Sequence, residues 1–321
     1  MTLYVGYKAS DIKPEMLGDD SVFHTLDVYH RHAIEKVHHA RAVCSPHLPE
    51  GEWDKVCCLT GPKLMSGELS LDMLQECHRI ADKCGCKVEV RFVGRERDRN
   101  DLLDKVRDRT DRVFKAEWPA SVPGGSQLTF TSYPGCFCHR RLDEGGLALA
   151  EVVTRELKSR VEVEDRKLRL LDMGCGCGLV GFLITDYIRK SSPSALQLET
   201  STSSSPLDLV LVDSHSRAVE AAEENSRKFG IPAEVILSDN GTPSRMDGTF
   251  DVFVGNPPYY SDYRIADVFL ETAKRALRPG GICYTVCKNA AGLEPVQKKY
   301  FPEVNIIKRR GYAVLKSISC A

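Results

Sequence analysis

Long apolar runs are missing from these 321 residues. Nothing approaches the roughly 18 consecutive apolar residues that cross a bilayer, so no membrane-spanning helix is expected. Excess charge is missing as well: 44 Lys and Arg face 45 Asp and Glu, a formal net charge of −1. Whole-molecule attraction to nucleic acid is therefore excluded, and any RNA contact must use a local basic patch. Met1 to Asp20 carries acids early and no apolar stretch. That pattern argues against a secretory or transit segment and for a cytoplasmic chain. Finger-like metal spacing is absent too. The 13 cysteines are odd in number and scattered. Their close sets, Cys84/Cys86, Cys136/Cys138 and Cys175/Cys177, are all C-x-C with no second pair at ligand spacing, so no metal is expected. Cys57, Cys58, Cys283 and Cys287 stand inside apolar strand patterns, as reduced, buried thiols do.

What is present suffices for two domains: the length is generous for one, and 42% hydrophobic residues can build cores. A Pro/Gly/Ser-rich stretch, Pro119 to Gln127, reads as a linker. It divides an N-terminal α/β domain (residues 1–120) from a larger one (residues 121–321). In the first, Val22 to Val43 reads as a helix, Trp53 to Thr60 as a strand, and Glu68 to Cys84 as an amphipathic helix stopped by Gly85. Lys87 to Val93 alternates as a strand, and Arg99 to Phe114 is helical. Arg95, Arg97, Arg99, Lys105, Arg107, Arg109 and Arg112 alternate there with aspartates, the mark of a solvated, self-paired face.

Beyond the linker, strands and helices alternate. Strands are expected at Leu168–Met173, Leu207–Asp213, Ala233–Ser238, Phe250–Gly255 and Ile282–Cys287. Helices fall at Gly178–Arg189, Ala218–Phe229 and Ile265–Leu277, and Val304–Lys308 with Tyr312–Ser317 should form an antiparallel hairpin. The fold class is α/β, a doubly wound, mostly parallel sheet with helices on both faces. Residues 190–206, with Ser201 to Ser205 near the end, lack any apolar period and should be a disordered surface insertion.

Four strand tips carry the chemistry. After Leu170-Leu171-Asp172-Met173, the turn Gly174-Cys175-Gly176-Cys177-Gly178 lets backbone approach a ligand at a helix N-terminus. Gly176 to Gly181 also fits the dinucleotide fingerprint G-x-G-x-x-G, but Asp172 would repel a pyrophosphate and suits a cationic ligand. Asp213, with Ser214 beside it, ends the second strand where an acid can accept from both hydroxyls of a ribose. It is also an ordinary helix cap. Asp239, at the third tip, can accept from an adenine amine or serve as a turn residue beside Asn240-Gly241. At the fourth tip stands Asn256-Pro257-Pro258-Tyr259. Two prolines end the strand abruptly and hold Asn256 extended. Its side-chain oxygen and a proline carbonyl can accept both hydrogens of an NH2 group, aiming the nitrogen lone pair, while Tyr259 offers a stacking face.

Asp172 to Gly178 followed by Asn256 to Tyr259 resembles the class I methyltransferases of amino nitrogens. Pro134-Gly135-Cys136-Phe137-Cys138-His139-Arg140-Arg141-Leu142-Asp143-Glu144-Gly145 is similar to the P-G-x-F-S-x-x-x-L-D-x-G segment of the methyltransferase small-domain family, with Cys138 where Ser is usual. The resemblance covers Thr131 to Ser317. It implies a seven-stranded Rossmann-like methyltransferase sheet, S-adenosylmethionine as cofactor, and guanine N2 of ribosomal RNA as the acceptor. The glycine loop (Gly174, Gly176, Gly178) would hold the cofactor, with Asp172, Asp213, Ser214, Asp239 and Asn256 around it. Asn256, Pro257, Pro258 and Tyr259 would grip the amine. The N-terminal domain would be a degenerate methyltransferase-like or substrate-recognition unit, and the protein a monomer. Basic residues of the lid (His139, Arg140, Arg141) and of the C-terminal edge (Lys298, Lys299, Lys308, Arg309, Arg310) are candidate phosphate contacts. An N6-adenine of RNA and a protein glutamine amide also present NH2 and stay open as acceptors. So does a ribosome-assembly scaffold that binds RNA without turnover.

Overall fold

Strand β1 (Thr2–Val5) opens the computed structural model, which describes residues 1–107, 114–163, 166–191, 207–258 and 263–320. There follow β2 (Ser21–Thr25), α1 (Val28–His38), β3 (Arg41–Cys44), β4 (Lys55–Thr60), α2 (Gly67–Cys84), β5 (Lys87–Phe92) and α3 (Glu96–Arg107). The strands form one sheet in the order β3-β2-β1-β4-β5, every neighbour parallel. Strand β4 shows why its sequence reads as an unbroken apolar run. Val56 and Cys58 join Leu3, Val5 and the α2 side chains Met73, Leu74, Cys77 and Ile80 in one cluster. Cys57 and Leu59 join Phe23 and Ile34 of α1 in another. A parallel strand covered on both faces needs apolar residues at every position. Helix α2 starts where Ser66 accepts from the Leu69 N–H at 3.2 Å, and it stops at Gly85 in the left-handed region (φ 67°), a cap pair worth about 1 kcal/mol at the N-terminus alone.

The helix expected over Val22 to Val43 is corrected here: that stretch is strand, helix, strand. Asp27 begins α1 by accepting from Tyr29 N–H at 2.8 Å, and His39 (φ 52°) ends it. Caps at both ends limit the helix to three turns, and the flanking residues pair into the sheet.

The chain folds as two compact units. The first holds Met1–Ala116 with Ser132–His139 and Ser214–Glu220; the second holds Glu117–Thr131, Arg140–Asp213 and Ala221–Ala321. In chain order the remaining elements are β6 (Ala116–Ala120), β7 (Leu128–Ser132), α4 (Glu144–Val163), β8 (Leu168–Met173), α5 (Leu179–Ser191), β9 (Leu207–Asp213) and α6 (Ser216–Phe229). Then come β10 (Ala233–Leu237), β11 (Phe250–Gly255), α7 (Arg264–Ala276), β12 (Leu277–Cys287), α8 (Ala290–Lys298), β13 (Asn305–Arg309) and β14 (Tyr312–Ile318). The large sheet runs β10-β9-β8-β11-β12-β14-β13. Its first five members are parallel, and β14 pairs antiparallel with both β12 and β13.

The α/β class, the strand–helix alternation and the terminal hairpin match the reading from sequence. The count differs, because five further strands form a sheet of their own in the first unit. The supposed linker is partly strand: β6 and β7 make a two-stranded sheet in which Trp118 stacks on Phe130 at 5.2 Å. Pro119 is tolerated because it sits on the exposed side of that short ribbon. Residues 192–206 of the expected insertion lie outside the described residues.

Helix α7 shows how the sheet is covered. Ala266, Phe269, Leu270, Ala273 and Ala276 recur at helical spacing and are all buried. They meet Leu171, Met173, Val210, Val212, Phe250 and Phe253 from the strands. This packing fixes the strand tips, and with them the site.

Candidate active site

In a sheet ordered this way, connections leave β8 and β11 in opposite directions, and a crevice opens beyond their C-terminal ends. The glycine turn and the Asn-Pro-Pro segment both fall there. Asp172 closes β8, opposite Leu211 and Val254 in the neighbouring strands. It is 2% exposed, and its Oδ2 accepts from Gly181 N–H at 2.9 Å. Burial pushes its carboxyl up to about 7; the Gly181 N–H works against the rise, and nearby Asp213 and Asp143 add to it. The turn that follows is pinned to β9, since Gly174 and Cys175 both donate to the Val212 carbonyl, at 2.8 and 3.0 Å. Gly174, Gly176 and Gly178 are all left-handed, with φ of 68°, 56° and 85°. A Cβ at Gly178 would lie 2.3 Å from the Phe182 ring, whereas one at Gly176 would meet nothing within 4 Å. Gly178 is thus a packing glycine, and Gly176 faces open space.

Asp213 ends β9 and its Oδ2 accepts from Gly176 N–H at 2.8 Å, so the second strand tip grips the first turn. Its main-chain carbonyl takes the Ser238 N–H at 2.9 Å, which holds the third tip against the second. Asp239 follows Ser238 and is half-buried. Ser214 follows Asp213 directly. It belongs to the first unit, where its Oγ donates to Asp27 Oδ2 at 3.0 Å.

Asn256 follows β11 directly and is half-buried; Pro257 is buried and Pro258 half-buried. Tyr259 lies outside the described residues. The Asn256 Nδ2 donates to Asp143 Oδ2 at 2.8 Å. Asp143 precedes α4, its Oδ1 accepts from Gly145 N–H at 3.0 Å, and Gly146 N–H donates to it as well. Burial raises the Asp143 carboxyl above its ordinary range, opposed by those two N–H groups and by Asn256. Asp143 carries no role in the reading from sequence. Its signal was there, an acid directly before a helix whose first turn carries two glycines, which is a cap pattern. Its partner, 113 residues away, was not readable. Asp143, Asp172, the glycine turn, Asp213, Asp239 and Asn256 all lie in the second unit.

Most of the candidate phosphate contacts are already engaged. Lys298 pairs with Glu294 at 2.7 Å and Lys299 with Asp267 at 3.2 Å. Arg309 and Arg310 both reach the buried carboxylate of Glu151. His139 bonds Ser132 Oγ at 2.9 Å and faces Glu68 at 3.6 Å. Arg140 is exposed and is engaged as well; Lys308 and Arg141 are exposed. Among the described residues, no group of three His, Cys, Asp or Glu is placed to hold a metal ion, and no helix is long and apolar enough to cross a membrane.

Residues 127–316 match the family model described as methyltransferase small domain. The ribosomal RNA small subunit methyltransferase C of Haemophilus influenzae is 27% identical over 188 residues, which is 57% of this chain and 49% of that protein. The ribosomal RNA large subunit methyltransferase G of Streptomyces griseus is 29% identical over 180 residues, 54% of this chain and 40% of that protein. The chain thus spans about half the length, or less, of these curated relatives. The solved Thermus thermophilus 16S rRNA N2 G1207 methyltransferase, in complex with S-adenosylmethionine and guanosine, superposes with a TM-score of 0.73. That likeness covers 99% of this chain and 88% of the other at 16% identity, and it is one of fold.

Proposed function

The chain belongs to the methyltransferase small domain family, and from that premise we propose that it is an S-adenosylmethionine-dependent N-methyltransferase of ribosomal RNA, with guanine N2 as acceptor. One observation carries the reading: Asn256-Pro257-Pro258 stands at the tip of β11, beside the glycine turn that follows β8. A donor cradle and an amine grip thereby share one crevice. The names of the relatives support ribosomal RNA as the substrate class.

The residues suit this cofactor. Gly176 offers main chain with no side chain toward open space, so a ligand can lie directly on the turn. Asp172, Asp213 and Asp143 crowd negative charge at that place, which a ligand bearing ammonium and sulfonium groups relieves. Asp213 would take the ribose hydroxyls, Asp239 the adenine amine, and Gly174, Gly176 and Gly178 the main-chain contacts. When bound, S-adenosylmethionine supplies a sulfonium methyl: a nitrogen–carbon bond forms as the sulfur–carbon bond breaks, neutral S-adenosylhomocysteine leaves, and the amine proton passes to water. The chain's own work is positioning. Asn256 Oδ1 and the Pro257 carbonyl accept the two amine hydrogens and aim the lone pair, and exclusion of water keeps it available.

The seven-stranded sheet is read as the methyltransferase sheet. The first unit is read as a degenerate second copy without turnover, because its strands have the same order, third-second-first-fourth-fifth, as β10-β9-β8-β11-β12. The protein would act as a monomer in the cytoplasm, where ribosomal subunits are found. The test is methyl transfer from tritiated S-adenosylmethionine to ribosomal RNA, ribosomal subunits and release-factor protein, offered separately. Label in N2-methylguanine supports the reading. Label in N6-methyladenine or methylglutamine, or no label with tight RNA binding, replaces it.

A further inference from the structure

We propose that Asp143 is a positioning residue for methyl transfer: it sets which end of the Asn256 amide faces the acceptor amine. This rests on the amine grip proposed above. A primary amide has a donor end and an acceptor end of nearly the same shape, and a grip on an NH2 group works with only one of them. An ionised carboxylate has acceptors alone. The 2.8 Å bond between Asn256 and Asp143 Oδ2 therefore requires the Nδ2 end on the Asp143 side. Oδ1 is turned the other way. A flipped amide would set two oxygens against each other at Asp143 and present an NH2 group to an NH2 group in the crevice.

Asp143 can impose this choice because it is itself immobilised. Its Oδ1 is held by Gly145 N–H at 3.0 Å, and Gly146 N–H donates too. These are amides of the first turn of a 20-residue helix, whose N-terminus also favours a negative charge. The two glycines make room for the arrangement. A Cβ at Gly146 would lie 2.6 Å from Asp143 Oδ2, and one at Gly145 would lie 3.3 Å from Oδ1. The acid, the two glycines and the distant Asn256 form one unit, in which the helix start orients a side chain on another strand tip.

Asp143→Ser separates the two roles of this residue. Serine caps a helix well but is too short to bridge to Asn256. Expected are a melting temperature within a few degrees of the parent, a Kd for S-adenosylhomocysteine that shifts far less than the rate, and a kcat on ribosomal RNA lower by on the order of 10²-fold. Asp143→Asn should fall between, since its oxygen still accepts from Nδ2 while its own NH2 also tolerates the flipped amide. In the Asn256→Ala background, Asp143→Ser should cost nothing further. A second readout needs no turnover: the Asn256 side-chain NH2 resonances, slow to exchange in the parent, should exchange fast in Asp143→Ser. Normal kcat in Asp143→Ser, equal loss of cofactor affinity, or unchanged amide exchange overturns the inference. Normal turnover in Asn256→Ala overturns the amine grip itself, whatever Asp143 does.

Discussion

Under the proposed function Asn256 and Asp213 divide the work of the site, and each makes a different prediction. Asn256→Ala removes one acceptor from the amine and leaves the glycine turn alone. Turnover should fall by on the order of 10²-fold or more while calorimetric affinity for S-adenosylhomocysteine changes little. Asp213→Ala removes the acceptor of Gly176 N–H together with the proposed ribose contact. Cofactor Kd should rise well before the single-turnover rate at saturation changes. Asp172 adds a pH dependence. Its carboxyl is raised from 3.8 to about 7 in the folded chain, so its share of stability is complete below about 3.8 and is lost as pH climbs through about 7. Asp172→Asn keeps an oxygen for Gly181 N–H and carries no charge. Without cofactor it should melt higher than the parent at pH 8, with the gap closing toward pH 4. A bound cation favours the ionised form, so parental affinity for S-adenosylmethionine should grow as pH rises toward 7, and that of Asp172→Asn should stay flat. Melting curves and calorimetry across pH check both, and a pH-independent gap would show that the two carboxylate forms are equally comfortable in the fold.

At the scale of elements, the glycine turn separates packing from binding. Gly178→Ala puts a Cβ 2.3 Å from Phe182 in a left-handed conformation, overpacking and strain that together cost on the order of 3 kcal/mol. Its melting temperature should drop by on the order of 10 °C. Gly176→Ala has the same backbone problem, about 1 kcal/mol, and no clash. It should melt nearly normally and bind S-adenosylhomocysteine on the order of tenfold more weakly; equal behaviour of the two variants in both assays would put the ligand elsewhere. These elements were legible because their signals are local. A buried apolar run, an acid, spaced glycines and an apolar helix face follow one another within twenty residues, and Phe250 to Pro258 is as compact. Beyond them the signals weaken. Strand β1 has four residues, too short to show a period. In Val22 to Val43, two strands flank a helix whose caps, Asp27 and His39, had to outrank a continuous-looking pattern. Trp118-Pro119 looks like a linker until Phe130 supplies the ring that Trp118 covers. Asp143 and Asn256 meet because α4 lies against β12, the neighbour of β11, and the bond from Ser214 to Asp27 spans 187 residues.

Over the whole molecule, the charge balance constrains how the proposed RNA substrate could be held. A net charge of −1 offers no long-range attraction. Four of the five candidate cations near the C-terminal edge are committed: Lys298 to Glu294, Lys299 to Asp267, Arg309 and Arg310 to Glu151. Just ahead of α3, Arg95 bonds Asp98 of its first turn at 2.8 Å. Freeing any of these for a phosphate gives up an existing pair, and for the two arginines on Glu151, which is 1% exposed, it would strand a buried carboxylate. If the proposed function holds, affinity comes mainly from the acceptor base, through stacking and the paired acceptors on its amine, with only a few phosphates neutralised by cations such as Lys308 and Arg141. Each phosphate contact contributes about 0.7 to 0.9 to the slope of log K against log salt. Binding of ribosomal RNA fragments, titrated between low and moderate salt, should therefore show a slope of about −3 or shallower. Arg309→Gln with Arg310→Gln should lower the melting temperature without flattening that slope. A slope near −8, or one halved by the double substitution, would mean that those arginines leave Glu151 for the RNA, and that the pairs seen here are the resting state of a phosphate-binding face.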